Sequence, residues 1–306
     1  MSGWTADEIP DQAGRVVLVT GANSGLGLVT VRELARKGAH VVITARDSAK
    51  GEAAEAEVRD EVPEARLESR VLDLAELASV RELAAAVTAD HERLDVLVNN
   101  AGVMMTPKGE TADGFELQFG TNHLGHFALT GLLLERIGGP DPRVVTVSSL
   151  EHRAGRIDFD DLDWERHYDP RAAYQRTKLA NAAFGIELHR RLQAVGSPVK
   201  SVLAHPGYSA TNLQSAGPTG LMRQVLRLGN ALLAQDPEQG ALPQLYAATA
   251  PEVEGGEFYG PDGYRELRGG PTAVRATSRA WDPELGRRLW EVSEELTGVR
   301  YGLAPR

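Results

Sequence analysis

Short apolar, β-branched runs alternate along this chain with longer stretches whose apolar residues recur at helical spacing. Arg15-Val-Val-Leu-Val-Thr20 predicts a buried strand, and residues 26–37 predict a helix ended by Gly38. The alternation continues with strands at 40–44, 70–73, 94–99, 143–148 and 199–204. The helices between them are expected at 49–62, about 77–90, about 114–136, and from Tyr174 to about 195. A seventh strand is expected at 256–259. Apolar, non-alternating strands belong to a parallel sheet covered on both faces. Right-handed crossovers then give an α/β, Rossmann-type doubly wound sheet of about seven strands with helices on both faces. No linker or repeat divides the chain, so residues 1–306 read as one domain. The less regular stretches are 151–171, 208–235 and the segment from Tyr259 onward. The first two follow strand ends, where an open sheet holds its ligand, and are expected to form the substrate pocket.

The first strand runs into Thr20-Gly-Ala-Asn-Ser-Gly-Leu-Gly27, with a helix behind it. The spacing is Gly-x-x-x-Gly-x-Gly. Gly21 permits a tight turn, Gly25 admits a pyrophosphate close to the backbone, and Gly27 allows helix and strand to pack closely. With Asn23, Ser24 and Leu26 they form a nucleotide-binding loop. The second strand ends Thr44-Ala-Arg-Asp47. Ala45 lacks the carboxylate that would hold a ribose 2′-hydroxyl, and Arg46 can pair a 2′-phosphate. Asp47 is expected to point away. The expected cofactor is therefore NADP, with NAD the lesser alternative.

Asn99-Asn-Ala-Gly102 closes the fourth strand with residues small enough for a cofactor to pass, among them Asn100, Ala101 and Gly102, while the Asn side chains tie strand ends together. Ser148 and Ser149 place hydroxyls at the carboxyl edge, where one can donate to an oxygen gaining negative charge. Asn122 is a polar amide in an apolar helical stretch, suited to a core hydrogen bond or to holding a water in a proton path. Tyr174 and Lys178 are four apart, hence on one helix face. A nearby cation favours the phenolate, so the pair reads as a general acid/base whose phenol is drawn below its ordinary value. His123 and His126, three apart, lack a third ligand, and Asp158-Phe-Asp-Asp-Leu-Asp163 lacks the glycine and one ligand of a calcium loop. No metal is expected.

Composition narrows the partners. The net charge is −10, which argues against nucleic acid or an anionic membrane. There is no cysteine, which removes disulfides, thiolate catalysis and zinc–thiolate sites. No apolar run approaches the roughly 18–20 residues of a membrane span, and the polar N-terminal residues are not a signal peptide. A cytoplasmic protein without membrane anchor is expected.

Together, Thr20-Gly-x-x-x-Gly-x-Gly27, Asp73, Asn99-Asn-Ala-Gly102, Asn122, Ser149, Tyr174-x-x-x-Lys178, Pro206-Gly207 and Thr211 resemble the short-chain dehydrogenase/reductase family. Thr121-Asn-His-Leu-Gly-His-Phe127 and His205-Pro-Gly207 look like its retinol-dehydrogenase-like branch. The resemblance implies Tyr174 as acid/base and Lys178 as the group that lowers its pKa and holds the nicotinamide ribose. Ser149 would orient the substrate oxygen, and Asn122 would complete a water-linked relay to Lys178. It implies Asp73, with Leu74 beside it, at the adenine, Asn100 at the adenine ribose, and Pro206, Gly207 and Thr211 at the nicotinamide. Ser149 and Tyr174 stand 25 residues apart, longer than in compact members and matching that branch. The substrate would be an alcohol, aldehyde or ketone. An amphipathic stretch at 220–234, where the family places its substrate lid, points either to a lipophilic one or to packing on the core or a second subunit. A homodimer through the helices of Asn122 and Tyr174 is compatible with the family. The competing reading is a catalytically idle NADP-binding regulator. A sugar-nucleotide epimerase would usually space its glycines Gly-x-x-Gly-x-x-Gly, which this chain lacks.

Overall fold

The computed structural model describes residues 3–208 and 235–303. Its centre is one eight-stranded sheet. The strands are β1 (Val16–Val19), β2 (His40–Ala45), β3 (Arg66–Val71), β4 (Val96–Asn99), β5 (Arg143–Val147), β6 (Lys200–Ala204), β7 (Phe258–Pro261) and β8 (Pro271–Val274). Their spatial order is β3-β2-β1-β4-β5-β6-β7-β8, parallel except for β8, which runs antiparallel to β7.

The main helices are α1 (Gly25–Arg36), α2 (Ser48–Glu61), α3 (Leu77–Asp90), α4 (Gly125–Leu133), α5 (Pro170–Ala194), α6 (Pro237–Thr249) and α7 (Pro283–Thr297). Successive strand residues feed opposite faces. Val17 and Val19 pack with α1, α2 and α6, while Leu18 packs with α3, α4, α5 and α7. This two-faced burial is why the inner strands read as continuous apolar runs. Asp169 caps the start of α5, accepting from the Ala172 N–H at 2.7 Å, and Pro170 opens its first turn.

Several elements differ from the expected ones. The third strand lies at Arg66–Val71, earlier than 70–73, because this edge strand is largely polar and only its end reaches the apolar Val71-Leu72 pair. The single helix expected at about 114–136 begins as one turn at Leu117–Phe119, loosens to a π-helix at Gly120–Leu124 and continues as α4. The stretch after Tyr259 is more regular than expected. β8 is short and starts with proline, as an edge strand tolerates. α7 carries clear stop and start signals: Asp282 and Pro283 at its N-terminus, and Gly298 in the left-handed region at its end. Trp290 of α7 packs on Phe127, Phe184 and Tyr301 at 5.2, 5.9 and 4.4 Å between ring centres. That cluster clamps α7 against α4 and α5, the helices beside which the chemistry gathers.

Candidate active site

β1 and β4 are neighbours although β2 and β3 intervene in sequence, so the strand order reverses between them and opens a crevice at their carboxyl ends. The glycine loop fills one side. Gly21 has φ +61°, and a Cβ there would lie 2.7 Å from the Ala101 Cβ. A Cβ on Gly27 would lie 2.6 Å from the Gly21 carbonyl oxygen. Gly25 also has positive φ, +56°. Ser24 occupies the N-cap of α1 but makes no side-chain cap bond, and no acidic residue stands in the first turn. The helix thus presents uncapped N–H groups and its positive dipole end above a glycine cradle. These features fit a nucleotide pyrophosphate. Asn23 is half-buried on the loop and Leu26 is buried beneath it.

At the end of β2, Arg46 is exposed, whereas the Asp47 carboxylate caps α2 by accepting from the Lys50 N–H at 3.2 Å. One oxygen of that exposed carboxylate is thus turned toward the start of α2. Past β3, the half-buried Asp73 accepts from the Ala75 N–H at 2.9 Å. Leu74 is buried, packed where Gly125 leaves room: a Cβ on that glycine would meet the Leu74 carbonyl oxygen at 2.4 Å.

The end of β4 is tied to β1 by Thr20. Its hydroxyl oxygen accepts the N–H groups of Asn100 and Ala101, each at 2.9 Å. Both lone pairs are then used, so its proton goes to His126 Nε2, also at 2.9 Å. His126 must therefore carry its own proton on Nδ1, which donates to the Asn122 carbonyl at 3.0 Å. Burial holds this histidine down to about 4, keeping it neutral near physiological pH. The Asn100 side chain spans strand ends as expected, donating to the Thr20 carbonyl at 2.8 Å and accepting from Gln244 at 3.2 Å.

Asn122 sits in the π-turn, a backbone irregularity that recurs at functional sites. Its Oδ1 accepts from the Val103 N–H at 2.7 Å, and Nδ2 donates to the Val103 carbonyl at 2.8 Å and to Thr177 Oγ1 at 3.1 Å. These bonds lock the loop after Gly102 to α5, one residue from Lys178, using both amide protons and one of the two Oδ1 lone pairs.

Ser149, Tyr174 and Lys178 come together as expected. Ser149 caps a short 3-10 turn (Leu150–Arg153), accepting from the Glu151 N–H at 3.3 Å. Its hydroxyl also bonds the phenol of Tyr174 and pulls that group's pKa down. Ser148 instead donates to the Lys178 carbonyl at 2.8 Å, anchoring α5 on β5. The Lys178 ammonium lies 5.6 Å from the Tyr174 ring centre and donates to the Val147 carbonyl at 3.3 Å. Burial dominates both groups: it pushes Lys178 down to about 8 and raises Tyr174 above its ordinary range. The expectation that Lys178 draws the phenol below its ordinary value is thus not met. Desolvation exceeds the help from Ser149, and the nearby Glu151 carboxylate raises the phenol further.

Of the later residues, Gly207 has φ +66° and lies three residues beyond the end of β6, and the Pro206 carbonyl accepts from Gln235 at 2.6 Å. Thr211 and the amphipathic stretch at 220–234 lie outside the described residues. The 151–171 segment is tied to the loop after β4 through Tyr168. Tyr168 donates to the Thr106 carbonyl at 2.9 Å and receives Gln118, which in turn accepts from the Met105 N–H at 2.8 Å. Sequence reasoning missed Gln118, Tyr168 and His126, because an isolated polar residue shows its partner only once the fold brings it near. His123 bonds Ser293 at 2.8 Å, and no cluster able to hold a metal occurs among the described residues. Nor is any described helix long and apolar enough to cross a membrane.

A family profile described as short chain dehydrogenase matches residues 15–219, and the chain belongs to that family. It falls in the retinol-dehydrogenase-like branch and is an oxidoreductase acting on CH–OH or C=O groups of small molecules. It is 44% identical to retinol dehydrogenase 13 of Homo sapiens over 94% of this chain and 85% of that one. It is 44% identical to polyprenol dehydrogenase of Mus musculus over 96% and 87%. A crystal structure of an uncharacterised protein from Mycobacterium Paratuberculosis superposes with a TM-score of 0.82 at 45% identity, covering 98% of this chain and 99% of that one.

The electrostatics give a direct expectation. In a pH titration followed by NMR of isotope-labelled lysine, Lys178 should lose its proton with a midpoint near 8, because its folded value is depressed. A midpoint at the ordinary lysine value, about 10.4, would contradict the buried, unpaired ammonium described here.

Proposed function

We propose that this protein is an NADP-dependent oxidoreductase interconverting a lipophilic alcohol and its carbonyl. The observation that carries the reading is the buried Tyr174 phenol, bonded by Ser149 and flanked by Lys178, beside the glycine cradle. A bound nicotinamide nucleotide supplies or accepts the hydride. In the reducing direction Tyr174 donates its proton to the substrate oxygen, and Ser149 donates a hydrogen bond to the same oxygen. The Lys178 ammonium, present below about pH 8, offsets the charge left on the phenolate. Burial keeps the phenol protonated at rest, the state that serves carbonyl reduction. The exposed Arg46 and the capping role of Asp47 support NADP. The names of the retinol and polyprenol dehydrogenase relatives support a lipophilic substrate.

Replacing Tyr174 with Phe should lower kcat by about 10²–10⁴-fold, the usual worth of a positioned acid/base, with NADPH still bound. If no carbonyl or alcohol gives Tyr174-dependent turnover while NADPH binds, the idle-regulator reading replaces this one. Arg46→Ala should shift preference toward NADH by about 10-fold or more, the worth of a hydrogen bond between charged groups. An unchanged preference would remove Arg46 from cofactor choice. Across aldehydes of growing chain length, kcat/KM should rise, and a flat series would sink the lipophilic pocket.

A further inference from the structure

One ionic cluster joins two loops of the site and is used by none of the steps above. The Glu266 carboxylate accepts from His205 Nε2 at 3.0 Å through one oxygen and from Arg153 at 2.6 Å through the other. On its far side His205 Nδ1 accepts the Gly207 N–H at 3.2 Å. That bond fixes the ring: Nδ1 is bare, so the proton sits on Nε2 and points at Glu266. Arg153 closes the turn that opens at Ser149, and His205 leads into the Pro206–Gly207 loop. Glu266 therefore bridges the catalytic serine's turn and the loop assigned to the nicotinamide.

The surrounding chain is shaped to hold this bridge. Arg265 and Glu266 are consecutive non-glycine residues in the left-handed region, with φ +53° and +59°, a conformation L side chains rarely adopt. A Cβ on Gly260 would lie 2.0 Å from His205 Nε2, so only glycine leaves room for the ring. A Cβ on Gly207 would lie 2.5 Å from the Leu267 carbonyl oxygen, which also accepts the Tyr208 N–H at 2.8 Å. An incidental surface ion pair needs neither the strain nor the glycines. His205 itself is fully buried.

We propose that Glu266 is a positioning residue that holds the Pro206–Gly207 loop and the Ser149 turn at one spacing, and so sets where the nicotinamide lies relative to the Ser149 and Tyr174 hydroxyls. The proposal rests on the oxidoreductase reading. Its test compares the full-length wild type with Glu266→Ala and Glu266→Gln in three ways: thermal midpoint, NADPH affinity by nucleotide fluorescence, and kcat. The His205 ring nitrogens are read separately by 15N NMR. Glutamine keeps one acceptor oxygen, for His205, and turns its amide N–H groups toward Arg153, so it gives up the bond to the Ser149 turn. The alanine variant should bind NADPH within about threefold of wild type yet lose about 10–100-fold in kcat, the scale of a small misplacement. The glutamine variant, which keeps only the His205 arm, should fall between alanine and wild type, and wild-type His205 should show a bare Nδ1 and a protonated Nε2. An unchanged kcat in the alanine variant would overturn the proposal. So would a folded glutamine variant with wild-type kcat, since the bond to the Ser149 turn would then do nothing, or a wild-type His205 protonated on Nδ1. The last reading needs no turnover, so it holds if Glu266→Ala fails to fold. Wild-type protein that binds NADPH without turnover would instead overturn the proposed function.

Discussion

The site depends on one buried hydroxyl. Thr20 ends β1, and its oxygen accepts the first two N–H groups beyond β4 while its proton goes to His126. Without it, the Ala101 N–H would lie unsatisfied, at about 1–3 kcal/mol, and the Asn100 N–H would keep only the Val98 carbonyl. Because these bonds draw the ends of β1 and β4 together, the glycine loop must run against Ala101, and only Gly21 fits that approach. From His126 the bonds continue to the Asn122 carbonyl, and from the Asn122 amide to Val103 and Thr177 on α5. The nucleotide cradle and the Tyr174 helix are thus parts of one hydrogen-bonded unit, assembled where the strand order reverses.

Burial then sets the charge states within that unit. It keeps His126 neutral, which preserves the direction of its two bonds, and it lowers Lys178 far enough to titrate near neutrality. The same desolvation raises Tyr174 despite the serine beside it. The phenol is consequently a proton donor at rest, and the ammonium's contribution comes when that proton has left. Glu266 lies outside this dry interior, half-buried, where an ionic bridge can form without the large cost of burying a charge unpaired.

Much of this was readable in the chain because it is encoded locally. The glycine spacing, the apolar strands and the four-residue step from Tyr174 to Lys178 each express a constraint within a few residues, and the structure realises them with small shifts of boundary. The polar edge strand β3 escaped a reading based on apolar runs, since within it only Leu67 is buried. The π-turn at Gly120–Leu124 leaves no compositional trace: it accompanies the contacts of Asn122 with Val103 and of His126 with Thr20, which join residues far apart in sequence. α7 was marked by Asp282, Pro283 and Gly298, signals that lay in a segment read as irregular. The direction of the Tyr174 shift was out of reach, because it is set by how much water the fold removes, and the sequence shows only that a cation stands four residues away.

The most direct test of the account follows the hydride itself. Wild-type protein would be mixed in a single turnover with NADPH deuterated at the nicotinamide C4 and a long-chain aldehyde, and the alcohol analysed by mass spectrometry. The account predicts one deuterium on the carbinol carbon with wild type and none with Tyr174→Phe on the same timescale. Deuterium transfer at equal rates in both proteins, or in neither while the nucleotide stays bound, would contradict it.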